Sequence, residues 1–312
     1  HIPYLPESML EKQGFYLHVT APDADGANAI RQRPTVTPLI GDRIFVEELS
    51  SMQMPYPDNF VNLLVIANAN QEMLNSLDVD EVYRVVCPGG AAVIGMAIFN
   101  GQSLHPDHIT DWMSSLPSAK MIENELGIWA VIHKETPKAM DEWRHRQHAP
   151  DNNPVSNDQL LSFPFLPQYR TKPYHRTRDG SFVAGGGRLY SAWCDKIFGS
   201  WREVTYLEAS NVYNGMRLWK KDLHIDNPDK SVTYSFMVAD SNSVFVAYKG
   251  EVHQLNGITG NLERIISFDE TFHIKWLAHQ NGFLFALLGD TATDTTYYSF
   301  ARFKFRHGNK IR

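Results

Sequence analysis

The sequence predicts two structural classes in one chain, an α/β half followed by an all-β half. Three observations carry this reading. Up to about Glu135, strand-like and helix-like apolar patterns alternate; beyond it the helical period disappears; and the later segments are short, bounded by Gly and Asn, and repeated.

Taken in order, Phe15-Tyr-Leu-His-Val19 reads as a buried strand and Arg43-Ile-Phe-Val46 as a short one. Val61-Asn-Leu-Leu-Val-Ile66 is a third, bounded by Pro55, Pro57, Asp58 and Asn59. Between Gln71 and Val86, the residues Met73, Leu77, Val82, Val85 and Val86 fall mostly three to five apart, as on one face of a helix, which Pro88-Gly89-Gly90 is expected to terminate. Ala91 to Ile98 is a fully apolar strand. A helix from Pro106 to about Leu116 and two short strands, Lys120 to Asn124 and Gly127 to Lys134, complete the half. From Asp141 to Arg176 the chain is polar and rich in Pro, Asn and His, the composition of a strap laid over other structure. Eight β-segments follow, from Gly187-Arg-Leu-Tyr-Ser-Ala-Trp193 to Thr296–Phe305. The expected boundaries are 1–136, 137–180 and 181–312.

The β half contains an internal repeat. Asn211-Val-Tyr-Asn-Gly215 is echoed by Asn256-Gly-Ile-Thr-Gly260, a period of 45. A second echo, Gly-Arg188-Leu-Tyr, Asn-Ser243-Val-Phe and Asn-Gly282-Phe-Leu, recurs at spacings of 55 and 39. Periods of about 40 to 50 residues mark the blades of a β-propeller, whose sheets are apolar on both faces and stable only between neighbours. There is room for about three blades between Phe182 and Phe305, short of the roughly four to eight that close a ring.

Composition excludes several classes. The 312 residues are 43% hydrophobic and 21% charged, enough for two domains with cores of their own. A net charge of −6 gives no general attraction to nucleic acid or anionic lipid. No apolar run reaches the roughly 18 residues of a membrane-spanning helix, so no membrane span is expected. Cys87 and Cys194, 107 positions apart, form neither a disulfide framework nor a CxxC pair.

Two resemblances follow from these segments. Val212-Tyr-Asn-Gly-Met-Arg-Leu-Trp-Lys220 resembles the repeat of PQQ-like β-propeller proteins, in which the Gly takes a positive φ and the Trp lies between blades. Asp141-Glu-Trp-Arg-His-Arg-Gln-His148, with Asn153, Val155 and Asp158, resembles the segment that opens such propellers in a planctomycete-type group, after a methyltransferase-like domain. Met54 to Val65 and Asp80-Glu-Val-Tyr-Arg-Val-Val-Cys-Pro-Gly-Gly to Ile94 are similar to the fourth and fifth strand regions of class I S-adenosylmethionine methyltransferases. The resemblance therefore implies a truncated Rossmann-like sheet followed by a partial propeller, in an extracytoplasmic protein.

The cofactor chemistry of that family is not matched. The first strand runs into Thr20-Ala-Pro-Asp-Ala-Asp-Gly26, with Thr20 and Pro22 where a glycine-rich loop would admit a nucleotide, and only about 18 residues separate Gly26 from Arg43. S-adenosylmethionine is therefore not expected to bind. PQQ and Ca²⁺ are not expected either, because there is no Cys-Cys pair and three blades cannot enclose the quinone.

Two clusters remain as candidate sites. His145 and His148, read as three apart on one helical turn, could share a metal completed by Asp141 or Asp151. The plainer alternative carries more weight: Trp143 plugs a blade, and the histidines hydrogen-bond backbone where the strap crosses the sheets. Arg170, His175, Arg176 and Arg178, interleaved with Tyr169 and Tyr174, could bind an acidic carbohydrate or phosphate, against the alternative of a solvated loop. The expected function is a non-catalytic binding or assembly scaffold. The alternative is the N-terminal portion of an extracytoplasmic propeller enzyme, a quinoprotein-type oxidoreductase or an enzyme acting on acidic polysaccharides. Either way, a second chain or further C-terminal blades are expected to cover the open edges, and the chain, opening on His1, reads as a fragment or processed product.

Overall fold

The computed structural model describes residues 15–51, 53–97, 104–170, 182–196, 203–222, 237–248, 250–269, 272–290, 298–306 and 309–311. The chain divides into two compact units, His1–Pro137 and Lys138–Arg312. Strands dominate and helices are few. None of the described helices is long and apolar enough to cross a membrane.

In the first unit, β1 (Leu17–Ala21) leads through α1 (Ala24–Arg31) to β2 (Ile44–Glu48), and the two strands pair in parallel. The turn into α1 is closed by Asp23, whose carboxylate accepts the Gly26 amide at 2.7 Å, an N-cap that satisfies one otherwise unpaired donor. Ala27 and Ile30 of α1 pack on Ile44 and Val46. A second sheet holds β3 (Val61–Ile66), β4 (Val86–Ala97), β5 (Ala119–Asn124) and β6 (Gly127–His133) in the order β3-β4-β6-β5. Only β3 and β4 are parallel there; β6 is antiparallel to both its neighbours.

The single Rossmann-like sheet expected from the sequence is thus replaced by two separate sheets. The connection from β1 to β2 holds only α1 and a 3₁₀ turn at Thr37–Leu39, which suffices for one parallel crossover and no more. The helix expected over Gln71 to Val86 is two helices, α2 (Gln71–Ser76) and α3 (Val79–Val85). Asp78 divides them by accepting the Asp80 amide at 2.9 Å as the N-cap of α3, which the apolar spacing alone did not reveal. Pro88-Gly89-Gly90 is no helix terminator; it lies inside β4, where pairing jumps from Val61↔Val86 to Leu63↔Ala91. The extra residues form a bulge, with Gly89 at φ +78°. Val82, Val85, Val86, Ile94, Ile109 and Ile132 are fully buried at the centre of this unit; Ile109 comes from α4 (Pro106–Trp112).

The second unit contains three four-stranded antiparallel sheets among the described residues, each with its strands in sequence order. Sheet I holds β7 (Phe182–Gly185), β8 (Arg188–Lys196), β9 (Glu203–Asn211) and β10 (Arg217–Asp222). Sheet II holds β11 (Met237–Ala239), β12 (Ser243–Tyr248), β13 (Glu251–Asn256) and β14 (Leu262–Ser267). Sheet III holds β15 (Phe272–Gln280), β16 (Phe283–Asp290), β17 (Tyr298–Arg306) and β18 (Asn309–Ile311). Alternation along β12 sends Val244 and Val246 into a core shared with sheet I, and Phe245 and Ala247 into one shared with sheet III. Sheet II is therefore apolar on both faces, as the repeat requires.

The repeated turn is the same structure twice. Asn211 Oδ1 accepts the amides of Tyr213 and Asn214, and Gly215 sits at φ +71°; Asn256 Oδ1 accepts those of Ile258 and Thr259, and Gly260 has the same φ. Trp219 follows the first turn and reaches the second, donating its indole N–H to the Gly257 carbonyl at 2.9 Å. A Cβ on Gly260 would lie 2.6 Å from the Trp219 ring, so that glycine is required by both backbone and space.

Candidate functional site: the strap across three sheets

Residues 138–170 belong to the second unit and carry an extended polar network. Asp141 organises it. Its carboxylate accepts the Glu142 amide (2.8 Å) on Oδ1, and on Oδ2 the Asn157 amide (2.6 Å), the Ser156 hydroxyl (3.0 Å) and His148 Nε2 (2.7 Å). Burial alone would raise its pKa, but these bonds, led by the Asn157 and Glu142 amides, outweigh burial and hold the carboxyl below its ordinary value. Asp158 ties the strap back on itself by accepting the amides of Asp141, Leu160 and Leu161.

The segment 143–145 then meets one sheet per residue. Ala184 of β7 donates its amide to the Trp143 carbonyl at 2.6 Å, Ala239 of β11 to the Arg144 carbonyl at 2.9 Å, and His279 of β15 to the His145 ring at Nε2, 3.0 Å. These three donors occupy equivalent places, in the first strand of each sheet and next to its first hairpin. Arg144 is held in turn by Glu142, through Nε and Nη2 at 2.9 and 2.7 Å, and Glu142 Oε1 accepts the Gly187 amide.

The histidine pair does not lie on a helical turn. His145 and His148 exchange backbone hydrogen bonds at 3.2 and 3.1 Å around a tight turn, with His148 at φ +69°. Their Nε2 atoms face different partners, Asp141 for His148 and the His279 amide for His145, so the rings do not converge on a shared metal position. Among the described residues no group of three or more His, Cys, Asp or Glu is arranged to hold a metal ion. His145 is 5% exposed, and its Nδ1 has no protein partner among the described residues. Because Nε2 accepts, Nδ1 carries the proton, and a buried N–H left unpaired costs about 1–3 kcal/mol. Burial pushes the His145 pKa down to about 4, against a backbone hydrogen bond at His148 that favours the charged form and with smaller lowering contributions from the charges of His279, Arg144 and His148. His279, stacked on Phe245 at 5.4 Å with Nε2 3.5 Å from Asp240, is shifted down as well, chiefly by burial.

Of the basic cluster, Arg170 is exposed at the end of the strap, next to Tyr169, whose hydroxyl donates to the Val212 carbonyl at 2.9 Å. His175, Arg176 and Arg178 lie outside the described residues. The contributions of Glu142, Arg144, Asp240 and His279 to the strap carry no local signal in the sequence. His145 and His279 are 134 positions apart, and nothing at either position names the other.

A smaller cluster lies in the first unit. Tyr56 and His18 Nδ1 share a 2.6 Å hydrogen bond, and His18 Nε2 lies 3.2 Å from Glu47. Burial and then Glu47 push the Tyr56 pKa up, the opposite of what would make its hydroxyl a nucleophile near neutrality. Cys87 is buried and accepts from Asn62 Nδ2 at 3.3 Å; burial raises its pKa and leaves it a thiol.

No protein-family model matches this chain, and no curated protein matches it. Among solved structures it is similar to a putative S-adenosyl-L-methionine-dependent methyltransferase of Methanococcus maripaludis (16% identity, 40% of this chain and 69% of that one, TM-score 0.33). It is also similar to the quinohemoprotein alcohol dehydrogenase of Comamonas testosteroni (19% identity, 35% of this chain, TM-score 0.25) and to BamB of Moraxella catarrhalis (14%, 39%, 0.21). The chain spans 17% of that dehydrogenase and 47% of that BamB.

Proposed function

We propose that the chain is a non-catalytic binding or assembly scaffold, in which a vestigial methyltransferase-like unit is joined to a partial PQQ-like propeller whose blades are sheets I to III. The strap is the observation that carries it. Propellers arrange four-stranded sheets around a central channel. In this reading residues 143–145 hold the first strands together at that channel, so the chain's own residues stand where a channel ligand would. The turn after β1 supports the vestigial half, since Pro22 stands beside Asp23 and the Asp23 carboxylate already takes the Gly26 amide. Neither S-adenosylmethionine nor PQQ with Ca²⁺ fits this reading as a ligand.

Assembly follows from the repeat. Tyr190 of sheet I and Phe245 of sheet II occupy equivalent hairpin positions and are 0% and 1% exposed beneath the next sheet. Phe285 occupies the same position in sheet III and is half-buried, with Leu287 on the same face. In this reading a further sheet of the same construction, on a second chain, continues the series beyond sheet III. Light scattering on the purified protein is expected to give a mass above 35.6 kDa, and calorimetry with S-adenosylmethionine no binding heat. A stable monomer overturns the assembly; tight S-adenosylmethionine binding overturns the vestigial reading.

A further inference from the structure

The geometry points to His145 as a proton-operated latch: the neutral ring holds sheet III to the strap, and the imidazolium lets it go. At the first-strand position, sheets I and II meet the strap through the carbonyl oxygens of Trp143 and Arg144, acceptors that do not titrate. Sheet III meets it, at the equivalent position, through a ring nitrogen. A neutral imidazole offers one acceptor, and here that acceptor is used on the His279 amide. Protonation converts Nε2 into a donor and sets two N–H groups against each other across 3.0 Å.

Apart from a backbone hydrogen bond at His148, the surroundings offer the imidazolium little. From the strap, Arg144 and His148 bear on it, with Arg144 paired to Glu142 and His148 to Asp141. From sheet III comes His279, and from the hairpin after β11 comes Asp240, whose carboxylate faces His279 at 3.5 Å. Charge at His279 adds to the repulsion, and the Asp240 carboxylate is itself taken up by the Asn242 and Ser243 amides and by His279. Burial holds His145 near 4, against an ordinary value of 6.5, so acid weakens the latch progressively below about pH 6.5.

Hydrogen exchange over residues 272–280 of the full chain, corrected for the intrinsic pH dependence, reads this directly. Between about pH 7.5 and about pH 5 the wild type is expected to open roughly tenfold more readily there, while the Ala184 and Ala239 amides change much less. His145→Gln keeps a side-chain acceptor but does not titrate, and is expected to abolish the difference. A wild type whose 272–280 exchange is unchanged by pH, or a Gln variant with the wild-type profile, overturns the proposal. Should the variant fail to fold, ¹⁵N chemical shifts of the His145 ring decide. A Nδ1–H tautomer at neutral pH is expected, and a Nε2–H tautomer overturns the latch.

Discussion

The two units fasten their incoming segments with groups of opposite electrostatic character. In the first, Arg84 and Glu81 hold the approach to β3: the guanidinium donates to the carbonyls of Tyr56 (2.8 Å) and Met54 (3.3 Å) and to Asp58 (2.7 Å), while Glu81 accepts the Met54 amide at 2.8 Å. In the second, backbone carbonyls and a neutral imidazole hold the strap to the sheets. Arg84 is charged at any pH the protein will meet, and its hydrogen bonds to Glu81 and Asp58 raise its pKa further. The first clamp works because a charge is always present. The second includes one contact, His145 to sheet III, that works only while a charge is absent.

The largest test of that contrast is Arg84→Met, which strands several acceptors at once and leaves Glu81 without its partner. We expect it to cost about 2–4 kcal/mol in the first unit, read by denaturant unfolding with hydrogen exchange over residues 54–60. A loss below about 1 kcal/mol would mean that packing, not the guanidinium, holds the segment. Next comes Asp141→Asn, which keeps acceptor oxygen but removes the charge shared by His148, Ser156 and Asn157. About 1–2 kcal/mol is expected, confined to the second unit. Equal loosening of both units would break the comparison.

The smallest effect is the most selective. Glu81 is held below its ordinary 4.5, first by its hydrogen bond to Arg84, so its contribution is full above about pH 4.5 and is lost as pH falls through the lower folded value. His145 is depressed from 6.5 to about 4, so its contribution is full above about pH 6.5 and declines toward pH 4. Limited proteolysis at about pH 5 is therefore expected to quicken within residues 138–170 before any change at residues 54–60. The reverse order would sink the assignment of opposite clamps.

What could be read from the sequence follows the range of the interaction. The Asn211 and Asn256 turns were legible because acceptor, amides and positive-φ glycine lie within five consecutive residues. The two-faced sheets were legible because alternation along β12 is written in Val244-Phe245-Val246-Ala247. The break at Asp78 shows only as a five-residue step from Leu77 to Val82, about 140° round a helix and easily passed over among steps of three and four, and Pro88-Gly89-Gly90 serves a bulge as well as a helix end. The candidate site was half legible. Trp143, His145 and His148 stood out as residue types, but the partners that give His145 its role lie on other sheets, where no spacing rule reaches.

The strap also sets a gauge. Binding to Trp143, Arg144 and His145 in turn keeps β7, β11 and β15 in order along the strap, with β11 adjacent to both β7 and β15. The segment works as a three-place index, one residue to a sheet. Removing one residue there would hand each sheet the contact meant for its neighbour, and the ring nitrogen would be offered to the wrong strand.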